Sequence, residues 1–249
     1  MSVSSHPMGA IFISDLHLHP QQDDITKRFF RFLDWAAEQT DVLYILGDFF
    51  HVWSGDDALD DWAKQIAARL AALSEKGVRC YFMPGNRDFL LGDEFAALAK
   101  WTPLPDPSLL QLDGACVLLS HGDQYCTADR AHQWFRRLTR GPWFRCLFGW
   151  VPLSLRKKWV QQIRVYSANH NQKKSMYKME VVERAVVQSI ERAKATVLIH
   201  GHTHVPQKVQ HAVGKQCYTR FVLSDWDDTP TILCYYKSHG FKLEPFNET

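Results

Sequence analysis

Short apolar, β-branched runs alternate with longer stretches of helical period along most of the chain. Ala10-Ile-Phe-Ile-Ser14, Val42-Leu-Tyr-Ile-Leu46, Val78-Arg-Cys-Tyr-Phe-Met83, Cys116-Val-Leu-Leu-Ser120 and Thr196-Val-Leu-Ile-His200 each read as a buried strand. Between the first two, Ile25, Phe29, Leu33 and Ala36 recur at helical spacing. A second helix is predicted over Ala58 to Glu75, with Trp62, Ile66 and Leu70 on one face and Gly77 as its stop, and a third from about Glu180 to Lys194. Strand and helix in this order predict an α/β fold with helices layered on a sheet. The C-terminal part differs: Arg220-Phe-Val-Leu-Ser224, Thr231 to Tyr236 and Phe241 to Phe246 are predicted strands joined by short turns, forming an antiparallel part of the same or a facing sheet.

One segment breaks the rhythm. Arg130 to Met179 spans 50 residues without a single Asp or Glu and carries 12 Lys and Arg, although the whole chain of 249 residues is nearly balanced, with 27 acidic and 29 basic residues. The same segment holds Trp134, Phe135, Trp143, Phe144, Phe148, Trp150, Trp159, Tyr166 and Tyr177. It reads as a basic, aromatic helical cap over residues 130–179, broken by Pro142 and Pro152 and inserted in a core of residues 1–129 and 180–249. Composition removes other classes. With 46% hydrophobic residues the chain has ample material for a core, and no sustained period suggests a coiled coil or a repeat array. Trp143 to Leu155 is too short for a membrane span, which needs about 20 residues, and it contains Arg145. Met1 to Pro7 has neither the basic nor the apolar region of a secretory signal. Six scattered cysteines without a CxxC pair predict reduced, structural thiols in a cytosolic protein.

The chemistry sits where the strands end. In order, the five runs lead into Asp15-Leu-His17, Gly47-Asp48, Gly85-Asn86-Arg87-Asp88, His121-Gly122-Asp123 and Gly201-His202-Thr203-His204. Ligand sites of open α/β sheets gather beyond the carboxyl ends of strands, so these clusters converge without bending the chain. Asp15, His17, Asp48, Asn86, His121, His202 and His204 supply seven oxygen or nitrogen donors and no thiolate. That number exceeds one four-coordinate zinc and suits two ions, with Asp48 as the natural bridge. Mixed imidazole and carboxylate donors favour Mn²⁺, Fe²⁺ or Zn²⁺ over Ca²⁺ or Mg²⁺. Such a site attracts a phosphate anion, and Arg87 can grip its oxygens through a planar fork while Asn86 holds a metal and reaches the phosphate.

These blocks resemble the motifs of the calcineurin-like metallophosphoesterases, D-x-H, G-D, G-N-[H/R]-[D/E], H-G and G-H-x-H, over roughly residues 9 to 123 and 195 to 225. Gly85-Asn-Arg-Asp-Phe89, Gly47-Asp-Phe-Phe-His-Val-Trp-Ser-Gly-Asp-Asp57, Leu119-Ser-His-Gly-Asp-Gln-Tyr-Cys-Thr127 and Ser167-Ala-Asn-His-Asn-Gln-Lys-Lys-Ser175 are similar to one family within it, the UDP-2,3-diacylglucosamine diphosphatases of bacterial lipid A synthesis. The resemblance implies a metallophosphoesterase-type β-sandwich of two facing mixed sheets flanked by helices. It also implies two Mn²⁺ per chain, other divalent ions being possible, and hydrolysis of diacylated UDP-glucosamine to UMP and a diacylated glucosamine 1-phosphate by a hydroxide that the ions activate. By matching motifs, Asp15, His17, Asp48 and His204 hold the first metal, and Asp48, Asn86, His121 and His202 the second. Asn86, Arg87, Asp129, Ser167, Asn171, Lys174 and His202 fall where the family contacts substrate. Three positions depart from the family pattern: His51 stands where an acidic residue is usual, His132 where Tyr is common, and Ser224-Asp225-Trp226 replaces a Gly-Ala-Trp-like run.

The basic cap suits such a substrate, because it offers cations for phosphate, an apolar cleft for acyl chains and a face for an anionic bilayer. The expected location is therefore peripheral, on the cytoplasmic side of the bacterial inner membrane, with the lipid surface as partner and neither nucleic acid nor an obligate protein partner required. Two other readings remain open from the residues alone. A basic, aromatic surface also suits base stacking, which would make the chain a phosphoesterase of nucleic acid or soluble nucleotides. A scaffold of the same fold without catalysis is the other, and the intact donor set speaks against it.

Overall fold

The computed structural model describes residues 6–173, 180–214, 216–227 and 229–247, with the side chains of 142, 145 and 164–173 left aside. Its centre is a pair of facing mixed sheets. The first has the order β11-β10-β1-β2-β3-β4, built from β1 (Ala10–Ile13), β2 (Val42–Leu46), β3 (Arg79–Met83), β4 (Thr102–Pro103), β10 (Thr231–Tyr236) and β11 (Gly240–Pro245). The second has the order β5-β6-β7-β9-β8, from β5 (Ser108–Leu112), β6 (Ala115–Ser120), β7 (Val197–His200), β8 (Gln207–Val213) and β9 (Gln216–Val222). β1 to β4 are mutually parallel, as are β6, β7 and β9.

Side-chain alternation along the strands builds the layers. On β1 and β2, Phe12, Tyr44 and Leu46 face inward with Leu119, Ile199 and Phe221 of the second sheet, forming the core between the sheets. Their neighbours Ile11, Ile13, Leu43 and Ile45 face outward and pack under α1 (Asp23–Gln39), α2 (Asp61–Glu75) and α3 (Asp93–Ala99). On the far side, α7 (Glu183–Ala193) lays Val186 and Ile190 over Leu118 and Leu198. Because both faces of these strands are buried, their sequences read as unbroken apolar runs.

The C-terminal strands divide differently from expectation. β9 joins the second sheet beside β7 and pairs antiparallel with β8, whereas the β10–β11 hairpin extends the first sheet through antiparallel pairing of β10 with β1. Strands β4, β5 and β8 carry no strong apolar pattern, because each lies on a sheet edge and is largely exposed or half-buried. The second helix begins at Asp61 rather than Ala58. Asp60 accepts a hydrogen bond from the Ala63 amide at 2.8 Å, and that cap fixes the first turn.

The acid-free segment folds as α4 (Arg130–Thr139), α5 (Pro142–Gly149) and α6 (Leu153–Lys173), with Pro142 at the start of α5 and Pro152 just ahead of α6. Phe144 and Phe148 pack against the first-sheet core, with Phe144 close to Phe89. Arg156 of α6 is buried and donates to the carbonyls of Val151 and Ser54 at 2.8 and 2.6 Å, as well as to Asp57. The opposite face of the segment is open: Trp143 is 78% exposed and Trp150 83%. No helix of the described residues is long and apolar enough to cross a membrane. All six cysteines are free thiols. Replacing Asp60 with Ala should lower unfolding stability by roughly 1 kcal/mol, seen as a lower urea midpoint at unchanged slope.

Candidate metal centre

β1, β2 and β3 of one sheet and β6 and β7 of the other end at the same rim, and the residues that follow them meet there. Backbone hydrogen bonds knit the loops together. The Asp15 and His17 amides donate to the Gly47 and Asp48 carbonyls at 3.0 and 2.9 Å, and the Gly201 amide donates to the His121 carbonyl at 2.9 Å. Carboxylates add further ties: Asp15 Oδ2 accepts the His202 amide at 2.9 Å, and Asp48 Oδ1 accepts the Arg87 amide at 2.9 Å.

The backbone is strained where the donors sit. Among the described residues eight non-glycine residues have positive φ, and five of them are Asp15, His17, Asp48, His202 and His204. The left-handed region costs an L-residue on the order of 1–2 kcal/mol, and such strain concentrates at functional sites. Close approach also dictates two glycines. A Cβ on Gly85 would collide with the Asp48 side chain and amide, and one on Gly201 would collide with the side chains of Asp15 and Ser14.

The donors fall into two overlapping groups. Asp15, His17 and His204 place one ligand atom each within 4.8 Å of one another, and so do Asp15, Asp48 and His121. Asp48 faces both, with Oδ2 4.0 Å from His17 Nδ1 and Oδ1 3.6 Å from His121 Nε2. Asn86 Oδ1 lies 2.9 Å from the same His121 Nε2. The His202 ring stands edge-on to that of His121, with centroids 5.1 Å apart, beside the second group.

These residues fit cations. Asp15 Oδ1 and His17 Nδ1 are buried and make no hydrogen bond among the described residues, although His204 Nε2 lies 3.2 Å from the first. The two Nε2 atoms of His17 and His204 face each other at 3.3 Å. His121 donates Nδ1–H to the Leu46 carbonyl at 3.0 Å, so in the neutral ring its Nε2 is a lone pair aimed at two further acceptors, Asn86 Oδ1 and Asp48 Oδ1. Burial alone would lower the His121 pKa, but Asp48, Asp15, Asp123 and Asp106 outweigh it and lift it to about 9. Burial, reinforced by His121, pushes His202 down to about 3, and burial with the nearby Arg87 holds His17 well below its ordinary value. Both rings are thus neutral imidazoles near pH 7, the form that ligates metals. Burial, with Asp15 beside it, raises Asp48 above the usual carboxylate range.

Arg87 borders this cluster. Its Nε lies 3.4 Å from Asp48 Oδ2 and its Nη1 3.4 Å from His51 Nδ1. Asp88 does not pair with it; instead its buried carboxylate accepts the amides of Gly85 and Phe49, both at 2.7 Å, and so binds the Asn86 loop to the Asp48 loop. Asp129 caps α4 by accepting the His132 amide at 3.1 Å. Ser167 and Asn171 lie on α6 with side chains outside the described set, and Lys174 lies outside the described residues. Sequence reasoning missed Asp106, whose Oδ1 accepts the Ser120 hydroxyl at 2.8 Å and the His121 amide at 3.2 Å. No motif announces it, since it stands on a loop far from any other donor in the chain.

Residues 8–206 match the model of the calcineurin-like phosphoesterase family. Proteins named UDP-2,3-diacylglucosamine hydrolase from Escherichia coli O81 (strain ED1a) and from Shigella dysenteriae serotype 1 (strain Sd197) are each 43% identical over 219 residues, covering 88% of this chain and 91% of theirs. Among solved structures, an archaeal phosphodiesterase aligns over 95% of this chain and 99% of its own at 12% identity with a TM-score of 0.46, a likeness too slight to carry weight. The convergence of five strand ends on one acceptor-lined rim and the likeness along most of the chain lead to the same place: this chain belongs to the calcineurin-like phosphoesterases and, within them, to the family of UDP-2,3-diacylglucosamine hydrolases.

Proposed function

We propose that this chain hydrolyses the diphosphate of UDP-2,3-diacylglucosamine to UMP and 2,3-diacylglucosamine 1-phosphate, using two divalent cations, Mn²⁺ foremost, at the rim of the two sheets. The observation that carries this reading is the pair of overlapping donor groups with Arg87 at their edge. The identity to relatives named for that reaction supports the substrate.

In this reading Asp15, His17, Asp48 and His204 hold one ion, and Asp48, Asn86, His121 and His202 the other. Bound there, two such ions supply Lewis acidity and lower the pKa of water, so that a nucleophile forms near pH 7. The chain's own groups do the rest. Arg87 binds the non-bridging oxygens of the diphosphate, where a planar fork gives two parallel hydrogen bonds to one phosphate. Its proximity to buried Asp48 orients that fork toward the rim. The oxygen of a water bonds to one phosphorus as the bridging P–O bond breaks, the displaced oxygen leaves on the other phosphate, and the protons of the water pass to the phosphate products and to solvent. Asn86 lies next to Arg87 and contacts the phosphate from the same loop. Asp129, Ser167, Asn171 and Lys174 bind the remainder of the substrate.

The cap binds the acyl chains and rests on the cytoplasmic face of the inner membrane. Support comes from its exposed apolar residues, Trp134, Trp143, Leu147 and Trp150, in a segment with no acid and twelve basic side chains. Apolar groups that enter the headgroup region beside cations are what an anionic bilayer holds.

Purified protein with Mn²⁺ should release UMP from the diacylated UDP-glucosamine and not from UDP-N-acetylglucosamine; equal release from both, or cleavage of DNA, would replace this substrate with a soluble nucleotide or nucleic acid. Chelation should abolish turnover and added Mn²⁺ should restore it. Replacing Arg87 with Ala should reduce turnover by about 10²–10³ with metal content unchanged, read by elemental analysis. Gly85→Ala should lose metal as well as activity, because the new Cβ displaces Asp48. Changing Trp143 and Trp150 together to Ser should weaken flotation with phosphatidylglycerol vesicles while leaving hydrolysis of detergent-dispersed substrate intact.

A further inference from the structure

We infer that Arg136, on the first cap helix, is a positioning residue for the half of the metal centre formed by His121, Asn86 and His202, so that α4 and that half are seated as one unit. The inference rests on the two-ion reading above. Arg136 bridges two carboxylates from different loops of the core, with Nη2 2.8 Å from Asp106 Oδ2 and Nε 3.0 Å from Asp123 Oδ1. The Asp106 and Asp123 side chains are 1% and 0% exposed, and that of Arg136 16%. Buried carboxylates of this kind are tolerable only when paired and hydrogen-bonded, so the guanidinium determines where both can sit.

Each carboxylate leads onward to a donor. The other oxygen of Asp106 accepts the Ser120 hydroxyl and the His121 amide, which sets the backbone from which His121 projects. Asp123 Oδ2 lies 3.4 Å from His132 Nε2, and the His132 ring is stacked on that of His202 with centroids 5.8 Å apart and planes 24° apart. The Asp123 carbonyl accepts Gln133 Nε2 at 2.8 Å, a second tie to α4. One turn further along, Arg140 donates Nη2 to the Pro84 carbonyl at 3.0 Å, directly ahead of Gly85 and Asn86. Phe89, Phe135 and Thr139 line the narrow space between this network and Asn86.

The ties are asymmetric. They reach His121, the Asn86 loop and the His202 ring, whereas Asp15, His17 and His204 are held by bonds among their own loops and by neighbouring side chains of the core. Disturbing Arg136 should therefore affect one ion and spare the other. Lysine cannot substitute fully, because a single ammonium on a flexible stem lacks the fork that spans two carboxylates.

The test titrates metal-free protein with Mn²⁺ by calorimetry, with circular dichroism of the metal-free form and kcat and KM of the loaded form recorded alongside. Wild type and Arg137→Met, a change at an exposed neighbour, should each take two ions. Arg136→Met should bind one ion as wild type does and the other about 10- to 100-fold more weakly, with Arg136→Lys between them, and kcat should fall in the same order at limiting Mn²⁺. Two ions of wild-type affinity in Arg136→Met, or equal weakening of both, overturns the inference. If Arg136→Met does not fold, Arg136→Lys decides in the same way: selective weakening supports it and unchanged binding overturns it. Fewer than two ions in wild type overturns the two-ion reading and this inference with it.

Discussion

Carboxylate, amide and imidazole acceptors crowd one rim of the two sheets, and the rest of the molecule is arranged around that fact. Asp48 Oδ1, Asn86 Oδ1 and His121 Nε2 lie within 3.6 Å of a common partner or of one another, with the other ring nitrogen of His121 already committed to the Leu46 carbonyl. On the other side Asp15 and His17 bury polar atoms that make no hydrogen bond among the described residues. Groups of this kind are expensive to bury unless a cation joins them. Folding must therefore assemble a cluster that repels itself, and the force for this comes from elsewhere: the apolar layer between the sheets and the helical layers outside them.

That division of labour explains the strained backbone. Strands that are apolar on both faces pull the five loops to one rim, and the residues just past them must turn sharply to aim inward. Asp15, His17, Asp48, His202 and His204 take left-handed backbone to do so, while Gly85 and Gly201 remove the side chains that would keep the loops apart. Asp88 and Asp106 then accept amides at the bases of two loops and hold them in place. Part of the orientation of these loops thus comes from buried carboxylates outside the seven donors.

The cap adds a second scale. Its helices bury Arg156, pack Phe144 and Phe148 against the core and leave Trp143 and Trp150 outward, so the segment beside the rim carries most of the exposed large apolar side chains among the described residues. On the proposed reading, that pairing of polar rim and apolar cover is what a substrate with a charged diphosphate and two acyl chains requires.

The sequence by itself determined the five central strands, the helices that lead into three of them, and the donors at the strand ends. Those features are local: an apolar run specifies a buried strand, and the residue that follows a strand is carried to its end by the covalent chain. It left open which sheet the C-terminal strands join, since apolar strands such as Arg220 to Val222 and Thr231 to Tyr236 look alike in sequence and differ only in the neighbour they find. Edge strands such as Gln207–Val213 escaped because exposure removes the apolar signal. Tertiary structure alone decided how the seven donors group, why Asp123 faces Arg136 rather than solvent, and that Asp106, which has no motif, supports His121. Those outcomes depend on distances between residues far apart in the chain, and such distances are fixed only when the sheets pack and the buried charges must find their partners.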